Sequence, residues 1–346
     1  MNADAVRDAG LVAVLTACAI ALLAVILAAT GHDVSASLAA LLRGAAGSWD
    51  AVLSGTLVRA TPLLITGLAI TLAFHAGVLN IGAEGQLLVG AAAATAMGLA
   101  FHGPSLVVLP ALLLAGVLAG GAWASIAATL RLRFGVLEVI STLMLNFVAQ
   151  YLLGWLVRGP MQEPTHIYPQ SATLEAAARL PIVIAGSRLH AGFVLGVVLA
   201  IVLAVVLTRT AAGFRVRLVG ANPPAAISAG RIGAAGVAFG AFVASGALAG
   251  LAGAVEVSGV TFALYENLSP GYGFSAIAVA LLARLNPLGV IGTAILFGAL
   301  EAGAVSMQRD AGVPSVVVNV VEAVLILLVV AADRWRAQRL VAQAGT

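Results

Sequence analysis

Long apolar runs, broken at intervals by short polar segments, set the character of this chain. The runs lie at about 11–29, 57–77, 82–101, 105–130, 136–157, 189–207, 234–255, 273–283, 288–303 and 315–331. A hydrocarbon core about 30 Å thick takes roughly 20 apolar residues of helix to cross. The eighth run, 273–283, is too short to cross alone, so it is either extended by its flanks or is half of a broken helix. Backbone leaves the helical state at membrane depth only where protein or a water-filled path covers it. The pattern predicts an all-α, polytopic transmembrane helical bundle of about ten hydrophobic elements, one of them short or broken, forming a single domain over residues 1–346.

The polar breaks carry the information. An amphipathic piece with Trp49 and Asp50 is expected between the first two runs. The second and third are separated by a turn rich in Gly and amide residues, around Gly77, Asn80, Gly82, Glu84, Gly85 and Gln86. A tight basic turn spans 131–135. A long loop at 158–188 contains Pro160, Pro164, Pro169 and Pro181, and a Gly/Pro/Tyr loop covers 257–272. The longest basic interruption of the second half, Thr208 to Gly236, carries Arg209, Arg215, Arg217 and Arg231. Within it, Asn222 followed by Pro223 and Pro224 is a helix-start signal, and a short Ala-rich helix should end at Gly230.

Composition excludes most soluble alternatives. The chain is 62% hydrophobic and 9% charged, against about 25% charged in a soluble domain. All seventeen basic residues are arginine and no concentrated basic face appears, which argues against nucleic-acid binding. The single cysteine, Cys18, rules out an intrachain disulfide. His32, His75, His102, His166 and His190 are scattered without ligand spacing, so no metal site and no resident cofactor are expected. With N-terminus and C-terminus both inside, eleven arginines face the cytoplasm, including the 131–135 turn, the Thr208–Gly236 stretch and the C-terminal tail. Six face outward: Arg43, Arg59, Arg158, Arg179, Arg188 and Arg309. The positive-inside rule therefore selects N-in, C-in. A Walker A motif is absent, so this chain does not hydrolyse ATP alone.

The segment Gly213 to Ile232, GFRVRLVGANPPAAISAGRI, resembles the cytoplasmic loop of permease subunits of bacterial ABC importers. The family is that shared by branched-chain amino acid, ribose-type sugar and nucleoside permeases. Three further segments, His75 to Ala91, Ser141 to Leu153 and Gly271 to Leu300, resemble its nucleoside branch, with Ala283 standing where relatives often have glycine. The resemblance implies a multi-pass protein of the bacterial cytoplasmic (inner) membrane. Its partners would be two ABC ATPase domains, a homologous second permease and a substrate-binding lipoprotein, and its cargo a small molecule. A cytoplasmic coupling loop at 209–235 would enter a groove of the ATPase. Within the family the alternatives are a simple-sugar or a branched-chain amino acid permease. A secondary transporter would instead need an inverted repeat with its own ion site.

Candidate residues follow in three groups. For ATPase coupling they are Arg215, Arg217, Gly220, Asn222, Pro223, Ala225, Ala226 and Gly230; the alternative is an amphipathic helix lying on the membrane with topology-fixing arginines. For the translocation pathway they are Asn80, Glu84, Gln86, Thr142, Asn146 and Gln150. Glu138, Thr142, Asn146 and Gln150 share one helix face, and polar groups at depth face protein or a pathway rather than lipid. Asn80 and Glu84 equally suit a turn at the cytoplasmic interface, and Asn146 and Gln150 equally suit ties between helices. Tyr265, Glu266, Asn267 and Tyr272 form either an outer gate and docking site or an aromatic interface belt.

Overall fold

The computed structural model describes residues 21–230, 233–314, 316–317, 320 and 323–324. It is all-helical apart from loops and two isolated bridges. Residues 21–29 are helical. They are followed by α1 (Val34–Ala46), α2 (Leu57–His75), α3 (Ala83–Ala100), α4 (Ser105–Phe134), α5 (Glu138–Arg158), α6 (Ala191–Arg209), α7 (Ala211–Ala221), α8 (Pro223–Gly230), α9 (Ala234–Glu256), α10 (Tyr272–Leu282) and α11 (Pro287–Ala311). Among the described residues, six helices are long and apolar enough to cross a membrane. They are α2 with the π turn Ala51–Thr56 before it, α4, α5, α6, α9 with its π extension Val257–Thr261, and α11. The chain is a multi-pass membrane protein. α3, with 18 residues, is nearly as long but is buried along most of its length. The expected tenth run and the C-terminal tail lie almost wholly outside the described residues, as does most of the first run.

Three boundaries differ from the hydropathy reading, each for a local reason. α11 does not stop near 303 but runs to Ala311, because Gln308, Arg309 and Asp310 are ordinary helix residues; the real stop is Gly312, in the left-handed region at φ 66. Residues 211–221, expected as loop, form α7, whose first turn is capped by the Thr210 hydroxyl accepting from the Gly213 N–H at 3.1 Å. The outer loop expected from 257 begins at Phe262, since the chain continues helically through Thr261.

Residues 57–297 form one compact unit. Its centre is a three-helix contact of α3, α4 and α9 made through glycines. A methyl group added at Gly90 would strike the Gly250 backbone, one at Gly116 the Ala254 methyl and the Gly250 carbonyl, and one at Gly120 the Gly246 carbonyl. Gly116 and Gly120, like Gly246 and Gly250, stand one helical turn apart, so each pair makes one flat backbone stripe. Lipid tails supply no hydrophobic drive between helices, and close backbone approach takes its place. Larger side chains fill the two flanks: Phe242 with Val78 and Ala124 on one, Ile70 with Ala249, Ala276 and Ala280 on the other.

The second unit comprises residues 1–56 and 298–346. In its described part, α1 packs against the last half of α11, with Gly44 against Ser306 and Gly303 against Leu41. The Thr56 hydroxyl donates to the Ala45 carbonyl at 2.6 Å. Arg43 and Arg309, both expected on the outer side, share Asp310 at 3.9 and 2.8 Å.

The glycine contact gives a direct stability test. Gly250→Val is expected to lower thermal stability in detergent by about 1–3 kcal/mol, the usual cost of overpacking. Gly240→Val, where an added side chain meets nothing within 4 Å, should melt with the parent protein.

Candidate translocation groove and coupling face

α5 serves as a depth gauge. Its 21 residues rise about 30 Å at roughly 1.5 Å each, one bilayer core. At its start, Glu138 accepts from Arg131 at 2.9 Å, and both line a cavity of about 310 Å³ with Gly77, Gly220, Pro223 and Phe242. At its far end, Arg158 donates to Glu266 at 2.6 Å. The first end therefore belongs with the α7–α8 stretch and the second with the 262–271 loop.

Between these ends the chain twice begins a helix inside the protein. After α2, Gly77 turns at φ 70 against the Gly220 backbone, and residues 78–81 carry no regular structure. α3 then starts at Ala83, about two turns along α5 from Glu138. The Asn146 amide closes this start from α5. Its Oδ1 accepts from the Gly85 N–H at 2.8 Å and its Nδ2 donates to the Ile81 carbonyl at 2.9 Å. Asn80 and Gln86 exchange reciprocal bonds of 2.8 and 2.9 Å. Asn80 also donates to the Ser245 hydroxyl at 2.9 Å, which itself donates to the Ala69 carbonyl at 2.6 Å. Asn80 is fully buried, and Gln86 and Thr142 are 1% exposed.

The same layer holds the start of α10. Glu84 Oε2 accepts from the Gly273 N–H at 2.6 Å, and the Ser269 hydroxyl bonds the same carboxylate. A Cβ at Gly273 would run into the Glu84 backbone, so the two helix starts touch through main chain. α10 has 11 residues, about 16 Å, and reverses through Arg284 and Leu285 in the left-handed region at φ 53 and 56. It does not cross. The turn at Asn80–Glu84 thus lies on the same layer as residues 269–273, packed against α5 and α9.

A groove of about 260 Å³ opens beside this node, lined by Glu84, Asn146, Gln150, Glu266, Asn267 and the aromatic rings of Phe147 and Phe274, among others. It joins residues from two groups that the sequence kept apart, the pathway set and the outer-gate set. Gln150, Phe147 and Phe274 are exposed on it. Five expected members, Asn80, Gln86, Thr142, Tyr265 and Tyr272, are not in its lining. Thr142 packs on Gly82 and bonds the Glu138 carbonyl at 2.6 Å, Gln86 is spent on Asn80, and Tyr272 is the buried first residue of α10. Tyr265 is on the outer loop, bridged to Gln170. Asn146 is an interhelical tie. Ser245, Ser269 and the two phenylalanines were missed; a single serine or phenylalanine, in an apolar run or in a loop, carries no sequence signal of its own.

At the Arg158 end, the Pro-rich loop and the 262–271 loop form one layer. Backbone N–H groups of Ser171, Leu174 and Leu180 donate to the carbonyls of Leu264, Phe262 and Ser258 at 2.9, 2.7 and 2.8 Å. The Arg179 guanidinium lies 4.7 Å from the centre of the Phe262 ring. His190 caps α6, its Nδ1 accepting from the Gly192 N–H at 3.2 Å. Burial first, and then the Arg188 charge, push the His190 imidazole down to about 4.

At the opposite end α7 and α8 meet at Asn222, whose extended backbone accepts from the Ala226 N–H at 3.0 Å and so occupies the N-cap position of α8. Pro223 and Pro224 follow at the first positions, where the missing N–H groups cost nothing. Arg215 and Arg217 are exposed on α7. Gly220 is required by backbone contact, since a methyl group there would strike the His75 carbonyl. Ala226, expected as a contact residue, is fully buried. The outward face of α8 instead presents Pro224, Ser228 and Ile227, which is 58% exposed. The surroundings of Ala225 and Gly230 lie outside the described set.

Residues 52–330 match the family described as branched-chain amino acid transport system / permease component. The chain belongs to this family. It is accordingly a permease subunit of an ABC importer, forming part of a transport pathway and carrying no enzymatic step of its own. Among its relatives, a glucose ABC transporter permease of Haloferax volcanii is 39% identical over 83% of this chain and 78% of the other. A guanosine ABC transporter permease of Bacillus subtilis is 37% identical over 88% of each. A nucleoside ABC transporter permease of Lactococcus lactis is 31% identical over 79% of this chain and 78% of that one. Sugar and nucleoside permeases thus stand side by side among the relatives, in archaeal and bacterial sources alike.

The His190 cap predicts an acid limb of stability. Its folded pKa lies below the ordinary 6.5, so the folded state binds fewer protons. The contribution is full above pH 6.5 and is lost as pH falls toward 4, amounting to about 3 kcal/mol at most. His190→Asn keeps an N-cap acceptor without a titrating ring. Melting temperatures of the permease in detergent should fall less steeply between pH 6.5 and 4 for that variant than for the parent.

Proposed function

We propose that this permease carries nucleosides inward, with the groove at mid-depth as its contribution to the path. The observation that carries the reading is the lining itself: the rings of Phe147 and Phe274 beside the Gln150 and Asn267 amides and the Glu266 carboxylate. Flat aromatic faces suit a planar base, and amide and carboxylate acceptors suit ring N–H and ribose hydroxyl groups. The guanosine and nucleoside permeases among the relatives support it.

Polar groups at mid-depth cannot face lipid without cost. The groove opens on the α5 face that exposes Met144, Phe147 and Tyr151, and a second, homologous but non-identical permease covers it, closing one pathway between the two. In this arrangement the N-terminus and C-terminus are cytoplasmic, in a bacterial inner membrane. α8 enters the ATPase with Ile227 as its knob, supported by Arg215 and Arg217. The layer of 158–188 and 262–271 faces outward and receives a substrate-binding lipoprotein. ATP binding closes the two ATPase domains, and α8 passes that motion to the permeases, which alternate between inward and outward access.

The second reading is a hexose, favoured by the glucose permease at 39% identity. Uptake by the reconstituted importer separates them. Labelled nucleosides should accumulate with ATP and compete with one another, whereas glucose and leucine in hundredfold excess should leave uptake unchanged. Accumulation of glucose in place of nucleosides replaces the proposal with the hexose reading. At the other face, Ile227→Glu should reduce co-purification of the ATPase at least tenfold while the permease melts normally. Ala226→Glu, which buries a charge, should instead lower the yield of folded permease.

A further inference from the structure

We infer that Glu84 is a positioning residue that transmits movement of the coupling helix to the outer gate. The inference rests on the proposed roles of α8 and of the 262–271 loop. Its basis is two main-chain contacts, Gly220 against His75 and Gly77, and Gly273 against Glu84, joined by the short stretch of chain between them. Gly220, three residues before Pro223 of α8, lies with its backbone against His75 and Gly77, too close for any side chain at position 220. A displacement of α8 and α7 therefore reaches the turn at Gly77 without slack. From there the chain runs through the irregular residues 78–81 to α3, and a segment without its own helical bonds is the most easily re-set part of the unit.

That segment is not loose. Asn80 ties it to α9 through Ser245, and Ile81 ties it to α5 through Asn146. The Asn146 amide spans Glu84, taking the Ile81 carbonyl on one side and the Gly85 N–H on the other, so Glu84 turns about that tie rather than sliding past it. Glu84 is where it meets the gate: the carboxylate takes the N–H of Gly273, the second residue of α10, at 2.6 Å, and the Gly273 backbone rests on the Glu84 backbone. Three residues before Gly273 is Pro270, and Ser269 on its other side also bonds Glu84. The loop then returns to Glu266, clamped by Arg158 at the outer end of α5. A carboxylate at a helix start is held by both the N–H bond and the helix dipole, so α10 and the loop before it must follow Glu84. An unbranched reach of two methylenes from the α3 backbone suits this role, and shortening or deleting it breaks the connection.

The test uses the complete importer in proteoliposomes and reads solute transported per ATP hydrolysed. The solute is whichever labelled compound the parent importer moves, so an error in the nucleoside reading shows in the parent and an error about Glu84 shows only in the variants. Glu84→Gln keeps length and an acceptor oxygen and should keep a ratio within twofold of the parent. Glu84→Asp, which is too short to reach Gly273, and Glu84→Ala, which has no acceptor, should hydrolyse ATP at the parent's rate while the ratio falls at least tenfold. A purely structural role would lower assembly, hydrolysis and transport together and leave the ratio intact. An unchanged ratio in Glu84→Asp and Glu84→Ala overturns the inference, and so does failure of both to assemble, which would assign Glu84 to holding the fold alone. If only the alanine variant fails to assemble, the aspartate ratio decides.

Discussion

Backbone that leaves the helical state within a membrane must find partners for its N–H and C=O groups inside the protein. In this permease that requirement is met by three side chains, and the rest of the unit from 57 to 297 is arranged to deliver them. Asn146 closes the start of α3 with both atoms of its amide. Glu84 closes the start of α10. Asn80 binds the irregular segment between them to Gln86 and to Ser245. Each is buried, and each is fully engaged in bonds that water cannot replace at that depth. An unpaired buried polar group costs several kcal/mol in such surroundings, so the loss of one partner would leave its counterpart stranded.

The glycine contacts serve the same end. By bringing α3, α4 and α9 together through main chain, Gly90, Gly116, Gly120, Gly246 and Gly250 leave little freedom for α3 to slide. They hold α3 from Gly90 onward, and its first turn, with Glu84, lies ahead of that contact. Function follows from where that turn falls. A short helix that starts at mid-depth leaves space between its N-terminus and the far surface, and the groove with Gln150, Glu266, Phe147 and Phe274 occupies that space. The face proposed for coupling lies at the other end of the same irregular segment, one glycine contact away.

Much of this was legible in the amino-acid order, because membrane helices announce themselves by length and apolarity. The spans α2, α4, α5, α6 and α9 fall within a few residues of their hydropathy limits, and the shortness of α10 was visible as a run too brief to cross. The polar stripe on α5 and the interruption at Asn80–Glu84 were visible as polar residues in apolar surroundings. Their partners were not, since Gly85 with Asn146 and Glu84 with Gly273 are separated by 61 and 189 residues, and nothing local marks a contact over that distance. For the same reason Asn146 reads equally well as a cargo contact or a tie; its two bonds show the tie, and it also lines the groove. The buried face of α8 was misjudged at Ala226 because an Ala-rich helix of eight residues has no hydrophobic stripe from which its orientation can be read.

The claim on which all of this depends is that α10 starts at mid-depth, beside the middle of α5. With Cys18 replaced by serine the chain is free of cysteine, and a pair introduced at Gln150 and Phe274 tests the placement in native membranes. Both side chains are exposed and line the same groove, so a short bis-maleimide should join them within one chain, in a yield that a second pair, at Gln150 and Leu288, does not approach. Absence of the 150–274 link, with each single cysteine still reactive, would place the start of α10 away from α5 and contradict the account.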